Sequence, residues 1–273
     1  MKLRNLFELI GFHARTKQYK YSVREFTLKN DVTVRYAKWL HPSEPQKTIT
    51  DGQVKAYEEF LSPGDFCIDI GAHSGDSTIP MALAVGLSGC ALALEPKMFA
   101  YHVLEKNART NRHVMNIETM MAAATSEEGF IQFEYSDSGF CNGGRHEGIG
   151  ILRHGHMFKL NVFGVNLTNE LKSDYSDFLP KLKFIKIDTE GYDLYVIKSL
   201  SEIIRLYRPC IKTEIFKKTS TKYRVELFSF LFENGYEVFK IDQEPVGRGE
   251  SLNLDDVDRW KHYDILCTPK ESA

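Results

Sequence analysis

The segment Phe66-Cys67-Ile68-Asp69-Ile70-Gly71-Ala72-His73-Ser74-Gly75 decides the fold of this chain. Its first five residues, Phe66–Ile70, are a short and mostly apolar run that predicts a strand. Gly71 permits a sharp turn after that strand, and Gly75 lets a helix predicted over 77–84 begin close to whatever the turn binds. A strand, a glycine turn and a helix in this order form the ligand-binding unit of doubly wound α/β sheets.

Strand and helix patterns alternate on the carboxyl side of this unit. The predicted strands lie at 91–94, 117–123, 184–187, 210–215, 236–241 and 263–267, and the predicted helices at 97–111, 194–206 and 223–233. Short apolar strands separated by helices indicate a mostly parallel sheet that is covered on both faces. The last two strands follow each other without a clear helix, so we expect one of them to be antiparallel. The predicted fold class is a Rossmann-like, doubly wound α/β domain.

The beginning of the chain has a different pattern. Two alternating runs, Tyr21–Leu28 and Val32–Tyr36, indicate a β-hairpin, and Asp51 can cap the helix that follows. The sequence therefore divides into an N-terminal helix and hairpin extension at 1–50 and an α/β domain at 51–273.

Composition and charge exclude some classes of function. The chain has 273 residues, 42% of them apolar, and a net charge of −2, so nothing indicates general nucleic-acid binding. Residues 1–30 nevertheless carry seven Lys or Arg against two Glu, an excess of five positive charges. Two interpretations remain open: a solvated face, or peripheral contact with an anionic carrier, membrane surface or partner. A short amphipathic helix through Leu3, Leu6, Phe7 and Ile10 lies in the same region.

The cysteines and the hydropathy indicate the compartment. The five cysteines are odd in number and form no C-x-x-C pair, which is typical of buried thiols in a reducing environment. No apolar run is long enough to cross a membrane, and Glu8 interrupts the apolar stretch near the start. We therefore expect a cytoplasmic protein; its oligomeric state is not indicated.

Two details of the glycine turn favour S-adenosylmethionine (SAM) over a dinucleotide as the ligand. The turn lacks the middle glycine of the G-x-G-x-x-G pattern that dinucleotide enzymes use. Asp69 suits the cationic amino group of a methionine moiety and would repel a pyrophosphate. We therefore predict SAM as the cofactor, bound at the turn by Asp69, Gly71, Ala72, His73, Gly75 and Ser77.

Glu95 follows the strand at 91–94 and lies 20 residues beyond Gly75. In doubly wound nucleotide-binding folds, an acidic residue at this place accepts hydrogen bonds from the ribose hydroxyls. The alternative is a carboxylate that caps the next helix. The strand at 117–123 is predicted to supply apolar contacts to adenine near Met121 and Ala122.

The segment Lys186-Ile187-Asp188-Thr189-Glu190-Gly191 carries three charges at alternate positions of a predicted strand end. Alternation places Lys186, Asp188 and Glu190 on one side, and charges at the carboxyl edge of a sheet are suited to chemistry. Glu214, near the end of the strand at 210–215, adds a fourth charge at that edge. Structural alternatives remain: Asp188 can cap the following helix, and Lys186 can neutralise Glu190.

Together these segments resemble the FkbM-type methyltransferases. The similarity covers about residues 50–268 and is carried by 63–76, 93–96 and 184–191, with further matches at Arg208-Pro209, Glu214 and Gly235-Tyr236. The resemblance implies a class I SAM-dependent O-methyltransferase, of a family that often acts on sugars or polyketide-type hydroxyls. His73 stands where the family usually has Asn, and Asn166-Leu167 stands where Leu-Asp is common.

The resemblance and the charge pattern lead to a predicted mechanism. A carboxylate of Asp188 or Glu190 takes the proton of an acceptor hydroxyl, while Lys186 orients that carboxylate or stabilises the oxyanion. The acceptor, a small molecule or a glycan, is expected to enter beside a glycine-rich insertion over 125–165, which is functional or mobile.

Other functions remain open at this stage. One is methylation of a nitrogen, and another is a catalytically silent subunit that binds a partner through the basic N-terminus. No metal is predicted, because His146, His154 and His156 lie in a glycine-rich loop without fixed geometry. A divalent ion held by Asp188, Glu190 and Glu214 remains an alternative.

Overall fold

The computed structural model of the chain describes residues 18–135, 143–144 and 158–270. The predicted hairpin is present as β1 (Tyr21–Thr27) and β2 (Thr33–Trp39), paired antiparallel. The first helix, α1 (Asp51–Tyr57), is capped by the Thr50 side chain, which accepts from the Gln53 amide. The prediction that Asp51 caps it is wrong, because Asp51 lies within the first turn.

The strands that follow the hairpin build two sheets. Those of the large sheet are β3 (Phe66–Ile70), β4 (Cys90–Leu94), β5 (Ile117–Met120), β10 (Leu182–Ile187), β11 (Cys210–Ile215), β12 (Tyr236–Gln243), β13 (Gly247–Leu252) and β14 (Tyr263–Pro269). Those of the small sheet are β6 (Ala123–Thr125), β7 (Gly129–Tyr135), β8 (Gly143–Gly144) and β9 (Phe158–Asn166).

Six further α-helices follow α1 in the described residues. They are α2 (Thr78–Val85), α3 (Met98–Thr110), α4 (Leu167–Ser173), α5 (Asp193–Ser199), α6 (Ser201–Tyr207) and α7 (Thr221–Glu233).

The large sheet has the order β13-β12-β14-β11-β10-β3-β4-β5. The five strands from β11 to β5 are parallel, whereas β14 is antiparallel to both β11 and β12. Every residue of β3 and β4 is buried, as expected for central strands covered on both faces. The prediction of a doubly wound, mostly parallel α/β fold is confirmed, including the antiparallel strand near the C-terminal end.

The hairpin shares its core with the sheet. Val34 and Tyr36 of β2 belong to the same buried cluster as Cys67 of β3 and Ala91 of β4. One side chain of α3 also holds β2: Asn107 accepts from the Ala37 amide and donates to its carbonyl. Residues before the predicted boundary at 50 therefore pack directly on the α/β domain.

The observed elements differ from the predicted ones in several places. The strand predicted at 117–123 is two strands, because the chain leaves the large sheet after Met120 and continues at Ala123 in the small sheet. The helix predicted at 194–206 is two helices, since Leu200 has non-helical backbone angles between them. The edge strand β13 was not predicted, because its glycines and charged residues lack an alternating apolar pattern.

The predicted glycine-rich insertion begins and ends in regular structure. β7 and β9 pair antiparallel from Gly129–Gly164 to Tyr135–Phe158. The remaining residues of the insertion, 136–142 and 145–157, lie outside the described residues, as do the three histidines His146, His154 and His156. Its function as an acceptor entrance stays a prediction.

The N-terminal 17 residues also lie outside the described part of the chain. They include the predicted amphipathic helix and four of the seven basic residues, so contact with an anionic surface stays a prediction. Among the described residues, no helix is both long enough and apolar enough to cross a membrane.

Candidate functional site

A cavity of about 260 Å³ lies at the carboxyl ends of β3, β4 and β10. This is the edge at which open α/β sheets bind their ligands. One wall is the glycine turn at 71–73, and the opposite wall is formed by residues 188–190 and Tyr192. Ala122 and Phe133 close the cavity on the side of the small sheet.

The glycine turn is locked to the end of β10. Gly71 has a φ of +79°, and a Cβ at this position would lie 1.9 Å from the backbone oxygen of Asp188. The Asp188 amide in turn donates to the Ile70 carbonyl at 3.0 Å. Only glycine satisfies both the left-handed backbone and the close approach. The two predicted motifs therefore form one rigid unit.

Glu95 is buried at the end of β4 and lines the cavity. Its Oε2 accepts from the His73 amide at 3.0 Å, and its Oε1 accepts from the Lys97 amide at 2.8 Å. Burial raises the pKa of Glu95 to about 7. The carboxylate thus fixes the turn and the start of α3 while its surface faces the cavity, so both predicted functions of Glu95 are compatible with its position.

Asp69 and Lys186 form a buried ion pair beneath the cavity. Lys186 Nζ lies 3.1 Å from Asp69 Oδ1 and 3.5 Å from Asp188 Oδ2, and the Thr78 hydroxyl donates to Asp69 Oδ2 at 2.7 Å. Burial alone would lower the pKa of Lys186, but Asp69 and Asp188 outweigh it and hold that pKa well above its usual range. The alternative in which Lys186 neutralises Glu190 is wrong, since its observed partners are these two aspartates.

Four carboxyl groups gather beyond β10. Burial and the neighbouring Asp188 raise the pKa of Glu190 to about 7, that of Asp193 to about 6 and that of Glu214 to about 10. Asp188 itself keeps 47% of its side chain exposed. Glu190 has a φ of +55°, a left-handed backbone that is costly for a residue with a Cβ. Such strain and raised pKa values together are typical of functional sites.

The structure brings most of the predicted site residues to the cavity. Those that line it are Gly71, Ala72, His73, Ser77, Glu95, Ala122, Lys186, Asp188 and Glu190.

Four predicted site residues do not line it. Asp69 is fully buried beneath the cavity and is bonded to Thr78 and Lys186. Gly75 faces Leu104 of α3 instead, at 2.9 Å from an added Cβ. Met121 is exposed to solvent, and Glu214 pairs with His262 at 3.3 Å.

Sequence analysis missed a second charged cluster, which comes from the segment between β2 and α1. Lys47 Nζ contacts Asp76 Oδ1 at 2.6 Å and Glu44 Oε1 at 3.2 Å, and all three residues line the cavity. Burial lowers the pKa of His73 to about 3, and the Lys47 ammonium acts in the same direction. Glu44 and Lys47 had no visible signal, because they lie before the α/β pattern and are joined to it only through tertiary contacts.

No group of three or more His, Cys, Asp or Glu among the described residues is arranged to hold a metal ion.

Comparisons with known proteins identify the family of the chain. Residues 69–238 match the family model of the methyltransferase FkbM domain. No curated protein matches the sequence. A solved FkbM methyltransferase from Methylobacillus flagellatus is similar at 12% identity and a TM-score of 0.45. The similarity covers 78% of this chain and 50% of that one, so the chain spans about half of that protein's length.

Two further solved structures are similar to the chain. The precorrin-6y C5,15-methyltransferase of Geobacter metallireducens is 14% identical, with 79% and 87% of the two chains covered and a TM-score of 0.42. A SAM-dependent O-methyltransferase of Thermotoga maritima is 14% identical, with 96% and 89% covered and a TM-score of 0.43. These scores are too low to carry a conclusion about activity.

Proposed function

The chain belongs to the FkbM methyltransferase family, and on that premise we propose that it methylates a hydroxyl oxygen of a sugar or another small hydroxylated metabolite. The cofactor of this family is SAM, which supplies an electrophilic methyl group when it is bound. The observation that carries the proposal is a carboxyl group, Glu190, at the cavity wall with a pKa raised to about 7.

The residues of the cavity fit the parts of SAM. Glu95 presents a buried carboxylate at the end of β4, where it can accept from ribose hydroxyls. Ala122 and Pro96 supply an apolar wall for a purine, and Phe133 of the small sheet extends it. An anionic lining suits a cofactor that carries a sulfonium and an ammonium group.

Glu190 is proposed as the base. A group with a pKa near the working pH is available in its ionised form, and it is also basic enough to bind the transferred proton. One carboxylate oxygen of Glu190 takes the proton of the acceptor hydroxyl as the hydroxyl oxygen attacks the methyl group. Methyl transfer is otherwise a matter of placing two reactants in line, so the rigid turn and strand end contribute by positioning.

Asp188 and Lys186 act on this base through their charges. The Lys186 ammonium is 3.5 Å from Asp188 Oδ2 and is itself fixed by Asp69. The Asp188 carboxylate beside Glu190 adds to the effect of burial, and together they raise the pKa of Glu190. Lys186 acts through Asp188, which makes it a positioning residue.

The experiment is incubation with methyl-labelled SAM and a panel of glycans and small hydroxylated metabolites, with product mass and fragmentation locating the methyl group. With an accepted substrate, Glu190→Gln should lower turnover by about 10²–10⁴, the usual contribution of a positioned base, and change SAM affinity little. Glu233→Gln on the exposed face of α7 is the matched control and should retain activity.

Two outcomes would contradict the proposal. Methyl groups found on nitrogen would make the chain an N-methyltransferase. Wild-type turnover in Glu190→Gln, under conditions where chemistry limits the rate, would remove Glu190 as the base and leave Asp188 as the other candidate base.

A further inference from the structure

We propose that Glu44, which lies between the hairpin and α1, binds the α-ammonium group of SAM. It precedes the segment that matches the family model, residues 69–238. The cationic amino group of the cofactor needs an anionic partner, and Asp69 is excluded because its side chain is fully buried and bonded to Lys186 and Thr78. Glu44 is a carboxylate on the wall of the same cavity.

One oxygen of Glu44 lacks a donor. The side chain is 1% exposed, and its Oε1 is engaged by Lys47 at 3.2 Å and by the Ser74 hydroxyl at 3.4 Å. Its Oε2 is buried and has no hydrogen-bond partner among the described residues; the His73 Nε2 atom is 3.6 Å away. A buried carboxylate oxygen without a donor is unfavourable, and an ammonium group, with three N–H donors, removes that cost.

The charges around Glu44 select a cation. Glu44 and Asp76 are two negative charges that share one positive charge, Lys47. His73 adds none at neutral pH, because burial lowers its pKa to about 3. The cluster therefore carries a net charge of −1, which one ammonium group neutralises.

Lys47 itself is committed to groups of the protein. Its Nζ contacts Asp76 at 2.6 Å, the Ser74 hydroxyl at 3.1 Å, His73 Nδ1 at 3.1 Å and Glu44 at 3.2 Å. An ammonium has three N–H donors, so these four contacts leave no donor for the α-carboxylate of a ligand. The cluster thus recognises the ammonium end of an amino acid rather than its carboxylate.

His73 lies between the two carboxylates Glu95 and Glu44. Its amide donates to Glu95 Oε2 at 3.0 Å, while its ring lies beside Glu44. Glu95 and Glu44 are therefore held on either side of one residue of the glycine turn. In this arrangement Glu95 can bind the ribose of SAM while Glu44 binds the amino-acid end of the same molecule.

The test measures binding rather than activity. Calorimetry on the full chain gives the dissociation constants of S-adenosylhomocysteine and of its deaminated analogue, in which hydrogen replaces the amino group. Glu44→Gln should weaken S-adenosylhomocysteine about tenfold to a hundredfold, the usual loss of a charged hydrogen bond. The analogue should bind the wild type and Glu44→Gln equally, within about twofold. Glu59→Gln, on the exposed surface after α1, is the matched control and should bind both ligands as the wild type does.

The comparison of the two ligands separates recognition from folding. Equal weakening of both by Glu44→Gln would assign Glu44 a structural role only and overturn the proposal, and so would unchanged affinity for both. If Glu44→Gln does not fold, Glu44→Asp keeps the charge on a shorter side chain. It should then weaken S-adenosylhomocysteine selectively, and equal weakening of both ligands would again overturn the proposal.

Discussion

Substitution of Asp69 by Asn distinguishes a buried ion pair from a ligand contact. Asp69 and Lys186 have 0% and 6% of their side chains exposed, and their charged atoms are 3.1 Å apart. Asp69→Asn leaves the Lys186 ammonium buried, with Asp188 as the remaining carboxylate at 3.5 Å. The main consequence should therefore be a loss of folding stability.

The size of that loss follows from the burial of the pair. Removing one partner of a buried ion pair costs about 3–5 kcal/mol of unfolding free energy. Asp188 offsets part of it, so we expect the lower end, ~3 kcal/mol. For a protein of this length, such a loss lowers the melting temperature by roughly 6–12 °C.

Urea unfolding followed by tryptophan fluorescence measures this change, since Trp39 is fully buried. Glu25→Gln is the control: it breaks an exposed pair with Arg35, whose charged atoms are 3.0 Å apart, and should cost less than about 1 kcal/mol. Lys186→Met added to Asp69→Asn should cost little more, because the pair is already broken. A loss below about 1 kcal/mol in Asp69→Asn, together with weaker SAM binding, would refute the ion-pair explanation and restore Asp69 as a ligand contact.

Four further predictions concern the cavity wall and the carboxyl groups beside it. Gly71→Ala should unfold the turn or abolish SAM binding by calorimetry, because its Cβ would collide with the Asp188 carbonyl at 1.9 Å; full retention of both would contradict the rigid unit. Glu95→Ala should weaken SAM binding by about 1–3 kcal/mol through lost ribose hydrogen bonds, and equal binding would remove that role. Burial raises the pKa of Glu190 to about 7 and that of Asp193 to about 6. Because Glu190 is the proposed base, kcat/KM should rise with pH and reach half its maximum near pH 7. The same shifts mean that the folded chain keeps protons that the unfolded chain loses, so unfolding free energy should fall between about pH 4 and pH 7 in denaturant titrations.

The fold was predictable because its signals are local. Apolar runs such as Phe66–Ile70 and Cys210–Ile215 begin and end within a residue of the observed strands, since each is bounded by a turn or a proline. The break after Met120 was not predictable, because Ile117–Thr125 is continuously strand-like. Only pairing with different neighbours separates its two halves, and such a choice depends on tertiary contacts.

The site was predictable in its position but not in its side-chain directions. The glycine turn, Glu95 and residues 186–190 were placed at one sheet edge by the rule that parallel strands end together. Asp69, however, is one residue short of that edge, and its carboxylate faces Lys186 at the same register of the neighbouring strand. Glu44 was missed because its contact with the turn joins residues 30 positions apart, which no periodicity encodes.

The position of β14 has a consequence for how the protein is made. β14 lies between β11 and β12, although it follows both of them in the chain. As the polypeptide leaves the ribosome, β11 and β12 therefore emerge with an open seam between them, and the backbone amides and carbonyls along the two facing edges stay without partners. Only when Tyr263–Pro269 has been synthesised does this strand insert and close the sheet. A released chain that ends between residues 252 and 263 would be open to chaperones and proteases along this seam.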